Sequence, residues 1–492
     1  MTKSIEQARD EVQTAFDRIV HLAESDDSSS FSSFEAKLWS MLLALGRAVT
    51  TMFLARRALR PRSTEYRYKG ETFCIDMDEI RTYDLGTRCG KVKFSRPVGR
   101  RTDNPRAACD LPVDRELGLC SGFSLGVVTD MARLCAQMAY KSARTTFSTF
   151  LEWAPSPRAV MRMIDAVGAE ARAFLQQATP PKDDGEILVI QVDARGAPMI
   201  DSEEASNRRK PLKDRRGTRR EGRRLRRKAR KRPRRTKGMK SKNAKEAFVG
   251  VLYTLRQTPD GIEGPINKKL YATFESHEAL FIWLRHEADK RGYGTKETFF
   301  LADGSDHIWR MQQRYFPDAE ACIDWYHIVE KLWTAGQCIH KEGTAELNEW
   351  IEKQTELLRT SCIDTLIEGL KEELGQIPKT GPGNKGKRER LDTIIKHLEK
   401  NRVRMDYATI RERDLDIGSG AVEGAVRNLV GIRFDGPGMR WGRGRSELLL
   451  HLRCILLNEQ WDEFVSYLSR KRKLRMAAQP IPLVTHDAKK VA

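Results

Sequence analysis

Residues 187–196, ILVIQVDARG, are the stretch from which the fold can be worked out. Residues 187–190 form a short, mostly β-branched apolar run, which is typical of a strand buried on both faces of a sheet. Aspartate is a poor strand residue and is rarely buried without a partner. We therefore expect the strand to end at Asp193, with this carboxylate at the rim of a central sheet. For an isolated Asp, the simpler interpretation is a cap on the next turn.

Two later carboxylates have similar settings. Residues 298–301 predict a second apolar strand that runs into Asp303, and residues 421–432 predict a helix that carries Glu423. Asp193, Asp303 and Glu423 are therefore the candidate site.

The order of the elements predicts which strands are neighbours. Residues 247–255 and 269–274 predict strands that complete an antiparallel meander with the first, and residues 319–323 predict a fifth strand. The predicted order is three strands, a helix, a strand, a helix, a strand, a helical insertion and a last helix. This order is the ribonuclease-H-like pattern. Because its first and fourth strands lie side by side, Asp193 and Asp303 should meet. The expected fold class is a multidomain α/β protein with this mixed sheet, flanked by helices, as its catalytic core.

The positive charge of the chain is a local feature. The net charge is +20, and residues 208–245 alone hold 22 Lys or Arg against 2 acids, which leaves 66 of each elsewhere. A block this basic usually meets a polyanion, most simply nucleic acid, although a solvated loop or a localisation signal has the same composition. The densest part of the block predicts DNA contacts from Arg223, Arg224, Arg226 and Arg227.

The region before the sheet is expected to be mainly helical and to bind DNA. Residues 1–60 predict helices, 61–122 an irregular, degenerate zinc-ribbon-like segment, and 123–180 a helix-turn-helix-like region whose last helix ends at Gly168. Three packed helices without a role in DNA binding fit residues 123–180 about as well.

The rest of the catalytic domain is split by an insertion. We expect residues 185–335 to form its first part, 336–412 a helical insertion, 413–470 its last part, and 471–492 a disordered tail.

Cysteine usage and hydropathy indicate a cytoplasmic protein without a membrane partner. The nine cysteines are odd in number and form no CxxC pair, which is typical of reduced thiols, and those between residues 60 and 115 are expected to be buried. Residues 41–55, the longest apolar stretch, contain Arg47 and are too short to span a bilayer.

Converging carboxylates suit phosphodiester chemistry. Such cleavage requires a neutralised phosphate, an activated nucleophile and a stabilised leaving oxygen, and two divalent ions roughly 3.5–4 Å apart supply all three. Mg²⁺ prefers hard oxygen ligands. The predicted cofactor is therefore Mg²⁺ or Mn²⁺, as a pair held by the three acids.

Several motifs carry a family resemblance. They are LPVDRELGL at 111–119, ADGS at 302–305, DWYHIVEKLW at 324–333 and GSGAVEGAVRNLVGIR at 418–433, followed by GMRWGRG. Together they resemble bacterial insertion-sequence transposases of the DDE type, most closely the ISKra4 family, over about residues 110–465. The stretch around Glu423 is the most specific. The family often has a zinc-ribbon-like segment before residue 110, but its cysteine pairs are absent here.

The resemblance implies Asp193, Asp303 and Glu423 as first, second and third catalytic acids. It implies hydrolysis at terminal inverted repeats and joining of the freed 3′-hydroxyls to target DNA, by at least a dimer in a bacterial nucleoid. Other nucleases of the same fold, such as a resolvase, and a non-catalytic DNA-binding descendant are the alternatives.

Other residues near these motifs have a functional and a plain interpretation. Asp324 and His327 either position DNA or the catalytic acids, or form a hydrogen-bonded helix start, which is favoured. Arg427 contacts phosphate or pairs with Glu423 one turn away. Trp441 stacks on an unpaired base between Arg440 and Arg443, or simply packs.

Overall fold

The structure is a computed structural model, and it describes residues 5–177, 179–200, 244–436, 439–476 and 479–480. The chain divides into two compact units, residues 1–171 with 460–492, and residues 172–459. The sequence predicts residues 461–470 to be in the last part of the catalytic domain, whereas in the structure they belong to the first unit. Residues 208–243, which include Arg223, Arg224, Arg226 and Arg227, lie outside the described residues.

The first unit begins with two helices, α1 (Ile5–Ser25) and α2 (Phe31–Ala58). The Ser30 hydroxyl accepts a hydrogen bond from the amide of Ser33 and caps α2. The expectation of no span-length apolar segment is wrong for α2. It is 28 residues long, and by length and composition alone it could cross a membrane. Its most apolar window has a mean hydropathy of 1.5 and is 17% buried.

The segment expected to be irregular is a β-sheet instead. It contains β1 (Glu65–Tyr68), β2 (Glu71–Thr87) and β3 (Gly90–Arg101), and Gln479–Pro480 adds β10, in the order β10-β1-β2-β3. Val92 and Phe94 point inward between exposed or half-exposed neighbours, a period-2 pattern that the many Arg and Gly residues obscure. The N-terminal region is therefore mainly helical, as expected, but it also contains this sheet. The expectation of buried cysteines fails at Cys74, which is exposed, and Cys89 and Cys109 are only half-buried.

Helices complete the first unit. Two of them continue beyond the residues at which the sequence predicted them to end. The helix from Pro157 passes Gly168 and continues to Gln177, because apolar positions recur at helical spacing through Leu175. The last helix continues past Lys471 to Met476. These helices are α3 (Pro112–Glu116), α4 (Leu125–Gln137), α5 (Tyr140–Leu151), α6 (Pro157–Gln177) and, at the C-terminal end, α17 (Trp461–Met476).

The second unit is built on a mixed sheet with the order β6-β5-β4-β7-β8. Strands β4 (Ile187–Ile200), β5 (Ala244–Thr258) and β6 (Gly261–Thr273) form the expected antiparallel meander, and β7 (Glu297–Ala302) and β8 (Glu320–Ile323) continue the sheet in parallel. The prediction that the first and fourth strands are neighbours is confirmed, because β4 pairs with β7. A short strand, β9 (Trp441–Gly442), pairs with the end of β4.

Helices cover both faces of this sheet. Leu280 and Leu284 of α7 (His277–Lys290) approach β5 at Gly250, where an added Cβ would lie 2.9 Å from a Leu284 methyl. The helix that carries Glu423 contacts the opposite face through Gln191. Between β8 and that helix, the expected helical insertion is present.

The helices of the second unit have the following bounds: α8 (Asp306–Tyr315), α9 (Trp325–Ile339), α10 (Ala345–Arg359), α11 (Ile363–Gln376), α12 (Asn384–Asn401), a 3₁₀ turn (Arg402–Arg404), α13 (Tyr407–Glu412), α14 (Gly420–Val426), a π segment (Arg427–Gly431), α15 (Ile432–Phe434) and α16 (Arg443–Leu457).

A buried ion pair fixes the start of β4. The fully buried guanidinium of Arg291 donates to both carboxylate oxygens of Asp184, at 2.6 and 2.9 Å. Thr254 and Asn267 donate to the same carboxylate. Burial alone would raise the pKa of Asp184, but the hydrogen bonds from Arg291, Thr254 and Asn267 hold it well below its usual range. The pair ties the residues before β4 to β5 and to the end of α7.

We expect Asp184→Asn to destabilise the second unit by about 3–5 kcal/mol, because Arg291 would be left as a buried, unpaired charge. Urea unfolding at pH 7 measures this loss. Since the folded-state pKa lies below the unfolded value, the stabilisation is present at neutral pH and is lost as the pH falls below about 4. Asp183→Asn is the matched control, because that side chain is 84% exposed and should be nearly neutral.

Candidate active site

Three aspartates follow one register position of the parallel strands. Val192 of β4 pairs with Ala302 of β7, and Ala302 pairs with Ile323 of β8. The next residue in each strand is Asp193, Asp303 or Asp324. Neighbouring strands lie about 4.8 Å apart, so three carboxylates stand in one row at the carboxyl edge of the parallel pairing.

Asp193 does not end its strand, contrary to the sequence expectation. On one side β4 continues beyond it to Ile200, because Asp193 pairs with Val249 and the antiparallel ladder with β5 goes on. On the other side the pairing with β7 ends at Val192. Asp193 is therefore inside a strand and also at an open edge, and its side chain is partly exposed.

Asp324 belongs to the scaffold of the site. It is 4% exposed, and both of its carboxylate oxygens accept backbone hydrogen bonds. Oδ2 accepts from the amide of His327 at 3.0 Å, which caps α9, and Oδ1 accepts from the amide of Ser419 at 2.9 Å. The favoured interpretation, a hydrogen-bonded helix start, is confirmed, although His327 contributes its backbone amide. The second bond attaches the Glu423 motif to the sheet edge.

Two further hydrogen bonds hold Glu423 and its helix at this edge of the sheet. The Ser419 hydroxyl lies 2.9 Å from Glu423 Oε1 and donates to it. The amide of Val422 donates to Gln191 Oε1 at 3.0 Å, and Gln191 in turn donates to the Tyr253 hydroxyl at 3.1 Å. Since side chains two residues apart in a strand share a face, Gln191 places α14 on the same face as Asp193.

Sequence reasoning missed Ser419 and Gln191 as parts of the site. The sequence does contain a clue to the role of Gln191, because an amide side chain that is buried inside an otherwise apolar strand must find a hydrogen-bond partner. Ser419 was missed because its amide binds Asp324, which is 95 residues away in the sequence.

Burial and the neighbouring carboxylates raise the pKa of Asp193. Burial raises this pKa to about 6, the negative charges of Asp303, Glu423 and Asp324 add to the effect, and the amide of Ala194 opposes it. The negative charges of Asp303 and Glu423 therefore act on Asp193.

One oxygen of each predicted catalytic acid is engaged and one is not. Asp193 Oδ1 accepts from the Ala194 amide at 2.6 Å, Asp303 Oδ1 accepts from the Ser305 amide at 3.0 Å, and Glu423 Oε1 accepts from Ser419. Within the described part of the chain, the second oxygen of each makes no hydrogen bond. Asp324 differs, because both of its oxygens are occupied.

The carboxylate oxygens of the three acids are suitable ligands for a divalent cation, but they do not form a closed metal site. No three His, Cys, Asp or Glu side chains within the described ranges stand together as a ready metal cluster. The acids do offer free carboxylate oxygens and mutual repulsion that a cation would relieve, and carboxylate oxygens are the ligands that Mg²⁺ and Mn²⁺ favour.

Histidines from three helices surround the Asp303 loop. The rings of His277 and His307 lie 4.4 Å apart, and burial followed by the charge of His307 lowers the pKa of His277 to about 4. His397 of the insertion lies against Gly304, where an added Cβ would be 2.1 Å from its ring. No pattern in the sequence pointed to His397, because its contact with Gly304 depends on how α12 packs.

The other predicted residues are less closely tied to the acids. The ring of His327 lies 6.3 Å from that of His397. Arg427 is exposed on the π segment and forms no ion pair with Glu423, so the ion-pair interpretation is wrong. Arg440 and Arg443 are also exposed.

Trp441 packs against the chain. Its indole donates to the Phe434 carbonyl at 3.0 Å, its ring lies 4.9 Å from that of Phe434, and the buried Arg433 guanidinium lies 4.5 Å from its centre. The packing interpretation is therefore supported for Trp441.

Comparison with known proteins leaves the function to be argued from the site. No protein-family model matches the chain, and no curated protein matches it. Among solved structures it is similar to the Drosophila P element transposase strand transfer complex, with a TM-score of 0.30 and 11% identity, over 71% of this chain and 94% of that chain. A likeness at this level establishes neither the fold nor the function.

We expect Asp193→Asn to stabilise the protein at pH 8 by about 1–3 kcal/mol, because it removes a half-buried charge beside other carboxylates. The raised folded-state pKa means that wild type has its full stability below about pH 4 and loses this contribution as the pH rises through 6. Urea unfolding at pH 4 and 8, with exposed Asp260→Asn as control, measures the difference. Equal stability of wild type and variant at pH 8 would contradict the expected repulsion.

Asp324→Ala should have the opposite effect. It leaves the amides of His327 and Ser419 without their acceptors, at a cost of about 1–3 kcal/mol. Urea unfolding at pH 8 is again the measurement, and Asp364→Ala, an exposed acid in the first turn of α11, is the control. A loss no larger than that of the control would show that Asp324 does not hold the site together.

Proposed function

We propose that residues 172–459 form a ribonuclease-H-like catalytic domain and that the protein is a DDE transposase. The strand order supports the fold assignment, since an antiparallel meander is extended in parallel beside its first strand. The observation that carries the function is the set of three carboxylates, Asp193, Asp303 and Glu423. Each has a free oxygen, and the charges of Asp303 and Glu423 add to the burial that raises the pKa of Asp193.

The substrate class follows from charge and motif. The 22 cations of residues 208–245 begin 15 positions after Asp193 in the sequence, which suits a phosphate-rich partner. The resemblance of residues 418–433 to insertion-sequence transposases supports DNA cutting at element ends and strand joining. Two element ends must be held together for this reaction, so we propose at least a dimer on DNA, acting in a bacterial cytoplasm.

In the proposed mechanism the acids would hold a pair of Mg²⁺ or Mn²⁺ ions. Bound there, such ions neutralise the scissile phosphate, activate the attacking water or 3′-hydroxyl and stabilise the leaving oxygen. Asp193 and Asp303 would supply ligands from the sheet edge, and Glu423 would supply one from α14. Asp324 and Ser419 hold these elements together and so keep the acids aligned.

Asp193→Asn, Asp303→Asn and Glu423→Gln should each abolish cleavage of a supercoiled plasmid that carries the native element ends, by at least about 100-fold. Each change removes a charge and keeps the shape, so DNA binding should persist. Exposed Glu412→Gln is the control and should cut normally. The rise in melting temperature with Mn²⁺ gives a second measurement, expected for wild type and reduced in the three variants.

Two results would contradict the assignment. Normal cutting by any one variant would remove that residue from the site. A folded wild type that binds the element ends and does not cut them with Mg²⁺ or Mn²⁺ would favour the non-catalytic DNA-binding alternative.

A further inference from the structure

A basic cavity lies beside the proposed catalytic loop. It has a volume of about 460 Å³ and is formed by α8 of the sheet domain and by the end of α12 with the 3₁₀ turn of the insertion. Its lining residues are Asp306, Trp309, Arg310, Gln313, Lys400 and Arg404. Asp306 comes three residues after Asp303, so the cavity adjoins the row of acids along the chain.

The cavity has more positive charge than its own acid can balance. Lys400 pairs with Asp306 at 2.6 Å. Arg310 and Arg404 form no ion pair with any residue that the structure describes. The next arginines along the chain differ, because Arg314 pairs with Glu278 at 3.0 Å and Arg402 pairs with Asp364 at 2.8 Å.

Arg404 is held in place by uncharged groups. Its guanidinium lies over the buried Trp309 ring, 4.5 Å from the ring centre, and donates to Asn401 Oδ1 at 3.1 Å. Burial lowers the pKa of Arg404, yet an arginine stays charged at neutral pH. The charge of Asp306 acts on Arg404 but is shared with Lys400, so the partly desolvated Arg404 lacks a full counter-charge unless an anion joins it. The planar, preorganised guanidinium suits the oxygens of a phosphate.

The insertion is joined to the catalytic loop at this place. His397, one turn before Lys400 on α12, lies against Gly304, and Lys400 binds the first residue of α8. The cavity is thus shaped by the segments that also shape the Asp303 loop.

We infer that Arg310 and Arg404 form a phosphate-binding subsite for the DNA strand next to the bond that the carboxylates would cut. This inference rests on the proposed function for its location, and it assigns the helical insertion a direct part in holding the substrate backbone.

The first experiment measures modification of arginines in the full-length wild-type protein. Phenylglyoxal labelling with mass spectrometry, without divalent metal, compares free protein with protein bound to a 40-base-pair duplex. We expect duplex binding to reduce labelling of Arg310 and Arg404 several-fold, and to leave Arg314 and Arg402 labelled as before. Unchanged labelling of Arg310 and Arg404 on saturation with DNA would overturn the inference.

The second experiment uses matched variants. Arg310→Gln with Arg404→Gln should make the slope of log K against log salt shallower by about 1–2, because about 0.9 is lost per phosphate contact. Arg314→Gln with Arg402→Gln should keep the wild-type slope. A wild-type slope in the first pair would overturn the inference.

Plasmid cleavage separates this inference from the proposed function. Metal-dependent cutting by wild type, with labelling and salt slope unaffected at Arg310 and Arg404, would overturn the subsite alone. Protection of both arginines by DNA in a protein that does not cut would support the phosphate site and reject the transposase. A protein that shows neither cutting nor protection of the two arginines would reject both the phosphate subsite and the proposed function.

Discussion

The register between β4, β7 and β8 is the constraint on which the second unit depends. The side-chain period of a strand is two, so a slip of one residue would turn Asp193 or Asp303 to the other face and bury it among apolar side chains. The ladders place Val192, Ala302 and Ile323 in one line, and each is followed by an aspartate. The same register turns Gln191 toward α14, and the position of Glu423 follows from it.

The buried polar groups around the acids hold the fold together, whereas the candidate catalytic acids keep oxygens available for a ligand. Gln191, Asp324 and Ser419 are nearly inaccessible, and their hydrogen bonds join segments that are more than 90 residues apart in the sequence. Because both oxygens of Asp324 are satisfied, it stabilises the arrangement. The candidate catalytic acids keep an open oxygen and tolerate mutual repulsion, and sites that bind ligands commonly give up stability in this way.

The helical insertion contributes to the neighbourhood of the acids. Gly304 has no Cβ, and the ring of His397 occupies the space where one would lie. Tyr407, near the end of the insertion, donates its hydroxyl to the carbonyl of Ile323, directly before Asp324. The residues between β8 and α14 therefore do more than connect two parts of a domain, since they contact the loop and the strand end that carry two of the aspartates.

The sequence by itself determined the elements of the second unit and singled out the three candidate acids. Apolar runs that end in Asp, and helical spacing around Glu423, are local patterns that survive in any context. It did not determine the sheet at residues 65–101, where charged residues hid the alternation, or the length of β4, because a strand can lose one partner and keep the other. Only the tertiary structure decided the roles of Ser419, Gln191, His397 and Arg404. Their partners come from distant segments, and the free energy of a buried hydrogen bond or an unpaired charge depends on what folding brings next to it.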